Sequence, residues 1–77
     1  MNNEKQIKMF CKNTLLLMRK NGLSEKEMMK IMQIGKVSFN KLKNGILSKN
    51  ITVATLMLLC KHFNVSPHKM FDDEFII

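Results

Sequence analysis

Apolar positions along this chain recur at the spacing of helices, not strands. Over Glu4 to Lys20, the residues Ile7, Phe10, Cys11, Thr14 and Met18 fall at i, i+3, i+4, i+7 and i+11, the buried stripe of an amphipathic helix. Leu15, Leu16 and Leu17 widen that stripe beyond what one small core needs. Asn21-Gly22 ends the helix, because glycine tolerates the left-handed backbone of a C-terminal cap. A second helix starts at Ser24-Glu25-Lys26-Glu27, an S-x-x-E capping box in which Ser24 accepts from a first-turn N–H and Glu27 reaches back to the cap. Leu23 and Met28 form a hydrophobic staple across that start. Met28, Met29, Ile31 and Met32 point inward, and the helix fades at Gln33-Ile34-Gly35.

A third short helix is expected from about Lys36 to Lys43, with Phe39 and Leu42 as its apolar pair and Ile34 or Val37 completing the contact. Asn44-Gly45 closes it as a turn, and Ile46 to Asn50 is a loop carrying Lys49. Thr52 caps a fourth helix, in which Val53, Leu56, Met57, Leu59, Cys60 and Phe63 are expected to form one wide buried face. Asn64 stops it. Ser66-Pro67 opens a last short helix, with proline at the first position, where its missing N–H costs nothing, and with Val65, Met70 and Phe71 packing back onto the core. The fold class is therefore all-α: five short helices joined by turns, without repeats.

A length of 77 residues fits one small domain with a thin core. A hydrophobic content of 45% argues against disorder. No apolar run approaches the roughly 20 residues that span a bilayer, and Met1 to Lys8 lack the apolar stretch of a secretory signal, so a cytoplasmic location is expected. Cys11 and Cys60 sit among apolar residues and read as small core side chains. Cys60 and His62 lie two apart and diverge on a helix, which argues against a zinc site. The eight methionines read as core at helical spacing more readily than as an adaptable peptide groove. Charge changes the picture more. The net charge is +7, and three of the six acids cluster at Asp72, Asp73 and Glu74, leaving a strongly basic body ahead of an acidic and apolar tail, residues 72–77. Such a body suits a polyanion: nucleic acid, or an anionic membrane surface.

The unit that favours nucleic acid is residues 24–44, two short helices joined by about four residues. Such helices cross steeply, so the second protrudes while the first holds it against a duplex. On the second helix the outward side chains are cationic or small and polar, with no acid among them. Lysine donates to guanine O6 and N7, asparagine pairs with adenine, and an apolar group touches the thymine methyl in the major groove.

In this order of elements the chain resembles the lambda-repressor-like (Cro/C1, or Xre-type) helix-turn-helix proteins. The likeness runs from about Ile7 to Phe71. It is carried by Gly22-Leu23-Ser24, Ile34, Phe39-x-x-Leu42-x-x-Gly45, Thr52 to Phe63 and Val65-Ser66-Pro67-His68-Lys69-Met70-Phe71. The resemblance implies double-stranded DNA as partner, with base-edge contacts from Lys36, Val37 and Lys41 and with Ser38 and Asn40 at the groove margin. It implies phosphate contacts from Asn44 and Lys49, which set register and not sequence preference. Three departures stand out. Glu25 replaces a glutamine that contacts phosphate, and a carboxylate there would be repelled unless Lys26 or a water intervenes. Met29 and Gln33 replace a small residue and a glycine, which bears on how closely the two helices cross. Met18 and Lys43 replace an Arg–Glu pair together, which orphans no buried charge and frees Lys43 to turn outward onto the basic face.

Leu16, Leu58 and the end Phe75-Ile76-Ile77 lie off the main stripes, and a homodimer built from the last two helices and the tail is the expectation they raise. Two-fold pairing on half-sites about one helical turn apart also suits a single short recognition helix. The leading expectation is a sequence-specific transcriptional regulator, a repressor more readily than an activator. The rival is a protein-interaction or antitoxin-like module on the same fold; a weaker rival is a basic domain lying on anionic membranes. No phosphate-binding glycine loop, cofactor motif or acid–base pair points to an enzyme, a cofactor or a small-molecule ligand.

Overall fold

The computed structural model describes residues 3–73. They form α1 (Glu4–Lys20), α2 (Glu25–Met32), α3 (Lys36–Lys43), α4 (Val53–Phe63) and a closing 3-10 helix (Pro67–Phe71), with no strand among the described residues. The all-α expectation holds, with the fifth element wound more tightly than an α-helix. The boundaries follow their capping chemistry. At α2 the Ser24 hydroxyl accepts from Glu27 N–H at 3.1 Å, and Glu27 Oε1 accepts from Ser24 N–H at 2.8 Å, so the capping box is complete. Those hydrogen bonds, the backbone one foremost, hold the Glu27 carboxyl below the usual carboxylate range, so it stays ionised as a cap at neutral pH. After α1 the chain turns at Gly22, φ +62°, and α4 ends on Asn64, also left-handed at φ +57°.

The core gathers the inward sides of all five elements. Leu17, Met28, Met32, Phe39, Leu42, Leu59 and Met70 are essentially inaccessible, and Phe10, Cys11, Ile51 and Cys60 join them. Burial raises the Cys11 and Cys60 thiols above their ordinary pKa, which keeps them protonated and unreactive at neutral pH. α1 packs against α3 and the 3-10 helix, while α2 packs against α4.

One expectation about this core is corrected. Val53 and Met57 were expected on the buried face of α4, yet they are 75% and 54% exposed. The buried side of α4 instead runs through Thr55, Leu59 and Cys60, about one turn apart along one face, with Leu56 and Phe63 half-covered. The surplus of apolar side chains on α4 lies outside the core. Asn13, which the apolar pattern passed over, shares the α1 stripe with Phe10, Thr14 and Leu17 and is fully buried. Its Nδ2 donates to the Met70 carbonyl at 2.9 Å and to the Asp72 carbonyl at 3.0 Å. A polar side chain thus ties the 3-10 helix and Asp72 to the middle of α1, where Phe10 and Phe71 also stack, 5.6 Å between ring centroids. The apolar end Phe75-Ile76-Ile77 lies outside the described residues.

Asn13→Ala removes both bonds and leaves two carbonyls at the edge of the core without their donor. The expected loss is about 2–3 kcal/mol, read as a lower urea midpoint at unchanged slope. A midpoint within error of the parent chain would show that the carbonyls are satisfied some other way.

Candidate nucleic-acid interface

The turn between α2 and α3 sets how α3 is presented. Gln33 takes the left-handed conformation there, φ 58° and ψ 45°, while its N–H donates to Lys30 O at 3.3 Å and Ile34 N–H donates to Met29 O at 3.1 Å. A residue with a Cβ pays about 1–2 kcal/mol for that conformation. The turn therefore keeps its left-handed geometry without a glycine at this position. Ile34 packs inward against the core, Met29 is half-buried beside it, and Gly35 stands at the start of α3.

α3 is fixed by three side chains and presents the rest. Ser38, Phe39 and Leu42 are buried. At about 100° per residue they occupy one side of the helix, and Lys43, Lys36, Asn40, Asn44, Val37 and Lys41 follow one another around the other. All six are exposed, and the first turn holds no acid. The face is cationic with one apolar member: Val37, 71% exposed, lies between the lysines in the helical projection. Lys36, Val37, Asn40 and Lys41 thus share one accessible face, the arrangement expected of groove-reading residues.

Ser38 is corrected. It was expected at the groove margin, but it is 2% exposed, and its hydroxyl donates to Ser48 Oγ at 3.0 Å. Asn50 Nδ2 donates to Ser38 Oγ at 3.4 Å, and Asn50 N–H donates to Ser48 Oγ at 3.2 Å. Ser38 anchors the loop after α3 instead of facing outward. That network holds Lys49, which is exposed between the buried Ser48 and the exposed Asn50, along one margin of α3. Ser48 and Asn50 carry no periodic signal, so nothing in the sequence marked them except their proximity to Lys49.

The other margin carries Lys43. Its Nζ lies 3.2 Å and 3.1 Å from the two carboxylate oxygens of Glu25, in the first turn of α2. The same Nζ stands 6.0 Å from the centroid of the Phe39 ring. The expected outward freedom of Lys43 is thereby corrected: the lysine is exposed but ion-paired. Glu25 likewise meets Lys43, not Lys26. Met18 packs against the core from α1. Asn44 caps α3 and donates its Nδ2 to Asn40 O at 2.8 Å, so that amide supports the helix end while the residue stays exposed.

Elsewhere, the described residues contain no group of three or more His, Cys, Asp or Glu placed to hold a metal, and no helix long and apolar enough to cross a membrane. An apolar groove of about 460 Å³ lies between the start of α1, the loop before α4, the start of α4 and Phe71. No curated protein and no solved structure matches the chain. A family model does: the Cro/C1-type HTH DNA-binding domain matches residues 16–74, from within α1 past the 3-10 helix, and takes in α2, the turn, α3 and α4. With the model covering most of the sequence and the helix-turn-helix in place, the chain belongs to the Cro/C1-type HTH DNA-binding family.

Proposed function

We propose that this protein is a sequence-specific regulator of transcription that reads the major groove of double-stranded DNA with α3 and represses by occupying promoter DNA. Base edges are read by Lys36, Val37 and Lys41, with Asn40 at the groove margin; Asn44 and Lys49 hold phosphates. The observation that carries this reading is the exposure of Val37, at 71%, on a face otherwise made of Lys36, Asn40 and Lys41. Leaving a valine in water has no benefit for the fold, whereas contact with a thymine methyl gives it a partner. Steric repression needs only binding. The site of action is the cytoplasm, where such DNA lies.

Binding as a homodimer belongs to the same reading. The apolar groove is lined by Ile7, Phe10, Leu47, Val53, Leu56 and Phe71, with Thr52 its one polar neighbour. Ile46 and Met57 add exposed apolar surface. A charge-free patch lets two copies of a +7 chain approach without opposing cations in the contact. The same groove favours a second reading, an adaptor or antitoxin-like module that binds another protein there while α3 is merely a solvated face.

Selection of binding sites from genomic DNA is expected to enrich one two-fold motif. Lys36→Ala with Lys41→Ala is expected to weaken binding to that motif by about 100-fold or more, with helicity unchanged, since each base contact is worth roughly 1–3 kcal/mol. An unchanged affinity, or no enriched motif, supports the adaptor reading instead. Light scattering is expected to give a dimer mass that falls to a monomer in Val53→Glu with Met57→Glu. A monomer mass for the parent chain at every concentration contradicts the dimer.

A further inference from the structure

The two margins of α3 differ in a way that matters to a polyanion. An α-helix with its side chains is about 10–12 Å across, and the major groove of B-DNA is about 12 Å wide. A helix lying in that groove therefore has a row of phosphates along each flank. One flank of α3 is the Ser38–Ser48–Asn50 network, its hydroxyls turned inward, with the exposed cation of Lys49 beside it. The other flank ends in Lys43, and there Glu25 places both carboxylate oxygens within 3.2 Å of its ammonium. The pair lies in water, with side chains 39% and 49% exposed. A salt bridge at that exposure adds little to stability, so the fold has small need of it. Glu25 also stands in the first turn of α2, beside the Glu27 carboxylate of the capping box.

We propose that Glu25 is a built-in restraint on DNA affinity: it withholds Lys43 from the phosphate row along that flank and sets a carboxylate in that row's path. The inference rests on the DNA-binding reading above. Docking requires either that the ion pair persist, in which case one phosphate contact is lost, or that it open, in which case an unpaired carboxylate faces the backbone. Both routes weaken binding without touching a base, so the effect is uniform across sequences. It is also salt-dependent, because each lysine engaged with a phosphate releases counterions.

Glu25→Gln keeps the size and polarity of the side chain and removes its charge. Affinity for the selected DNA motif is measured at about 50 mM and about 200 mM salt for the parent chain, Glu25→Gln and Glu25→Gln with Lys43→Gln. The expected result is binding about fivefold tighter for Glu25→Gln at the lower salt, with the slope of log K against log salt steeper by about 0.9. The double variant loses that added slope, which assigns it to Lys43. Glu25→Ala serves as a second neutral variant and tightens binding in the same sense. A Glu25→Gln affinity within about twofold of the parent, at the same slope, overturns the restraint while the DNA-binding reading stands. If the parent chain and all variants fail to bind DNA, both fall together.

Discussion

The constraint on which the structure depends is that a helix of eight residues must be held by so few of its own side chains. α3 gives only Ser38, Phe39 and Leu42 to the interior. Phe39 and Leu42 bury fully against a core that includes Leu17, Met28 and Met32, and each buried side chain of that size contributes roughly 1.5–3 kcal/mol. An isolated helix of that length does not persist in water, so packing and not propensity keeps it folded. Because two large side chains and one small one suffice, five positions of the helix remain for the outer surface, and the sequence places lysine, valine and asparagine there. Every other element serves that presentation. α2 sets the approach to α3, α1 supports it from below, and Asn13 ties the 3-10 helix to α1.

The edges of α3 are where fold and function meet. Ser38 and Lys43 border the exposed face on opposite sides, and each is tied to another element, one through a neutral hydroxyl network and the other through an ion pair. Both ties orient α3 against the body. They differ in their electrostatic consequence, since a hydroxyl network leaves the potential of the face unchanged and a carboxylate lowers it. A chain with a large excess of cations tolerates such a loss, and a moderate affinity shortens the residence of a protein on DNA. The apolar groove beside Val53 and Phe71 takes none of its lining residues from α3.

Much of this was legible in the sequence because capping residues act locally. Ser24 with Glu27, Gly22, Thr52 and Ser66-Pro67 marked where helices begin and end, and the observed bounds follow them. The family resemblance was legible for the same reason, as an ordered set of turns and apolar pairs. What stayed hidden depends on contacts across the fold. Asn13 lies on the α1 stripe at i+3 from Phe10, but a polar residue does not register in an apolar periodicity, although a polar residue on such a stripe is itself a signal of buried hydrogen bonding. Ser38 looked like a surface residue because its partner, Ser48, sits in a loop with no pattern. Val53 and Met57 were placed inside because α4 is apolar on nearly all sides, and periodicity cannot choose a face when every face qualifies. The left-handed Gln33 shows tertiary packing overriding local preference: Ile34 must reach the core, and the backbone bends to let it.

The proposed role of α3 requires that its exposed face be the surface that meets DNA. The most direct measurement is an NMR titration of the full chain with a duplex carrying its selected motif, following backbone and methyl resonances. The account predicts the largest shifts at Lys36, Val37, Asn40 and Lys41, smaller ones at Asn44, Lys49 and Glu25, and none from duplex contact at Leu59 or Met70 in the core. Shifts confined to Leu47, Val53, Leu56 and Phe71, with α3 unmoved, would contradict it.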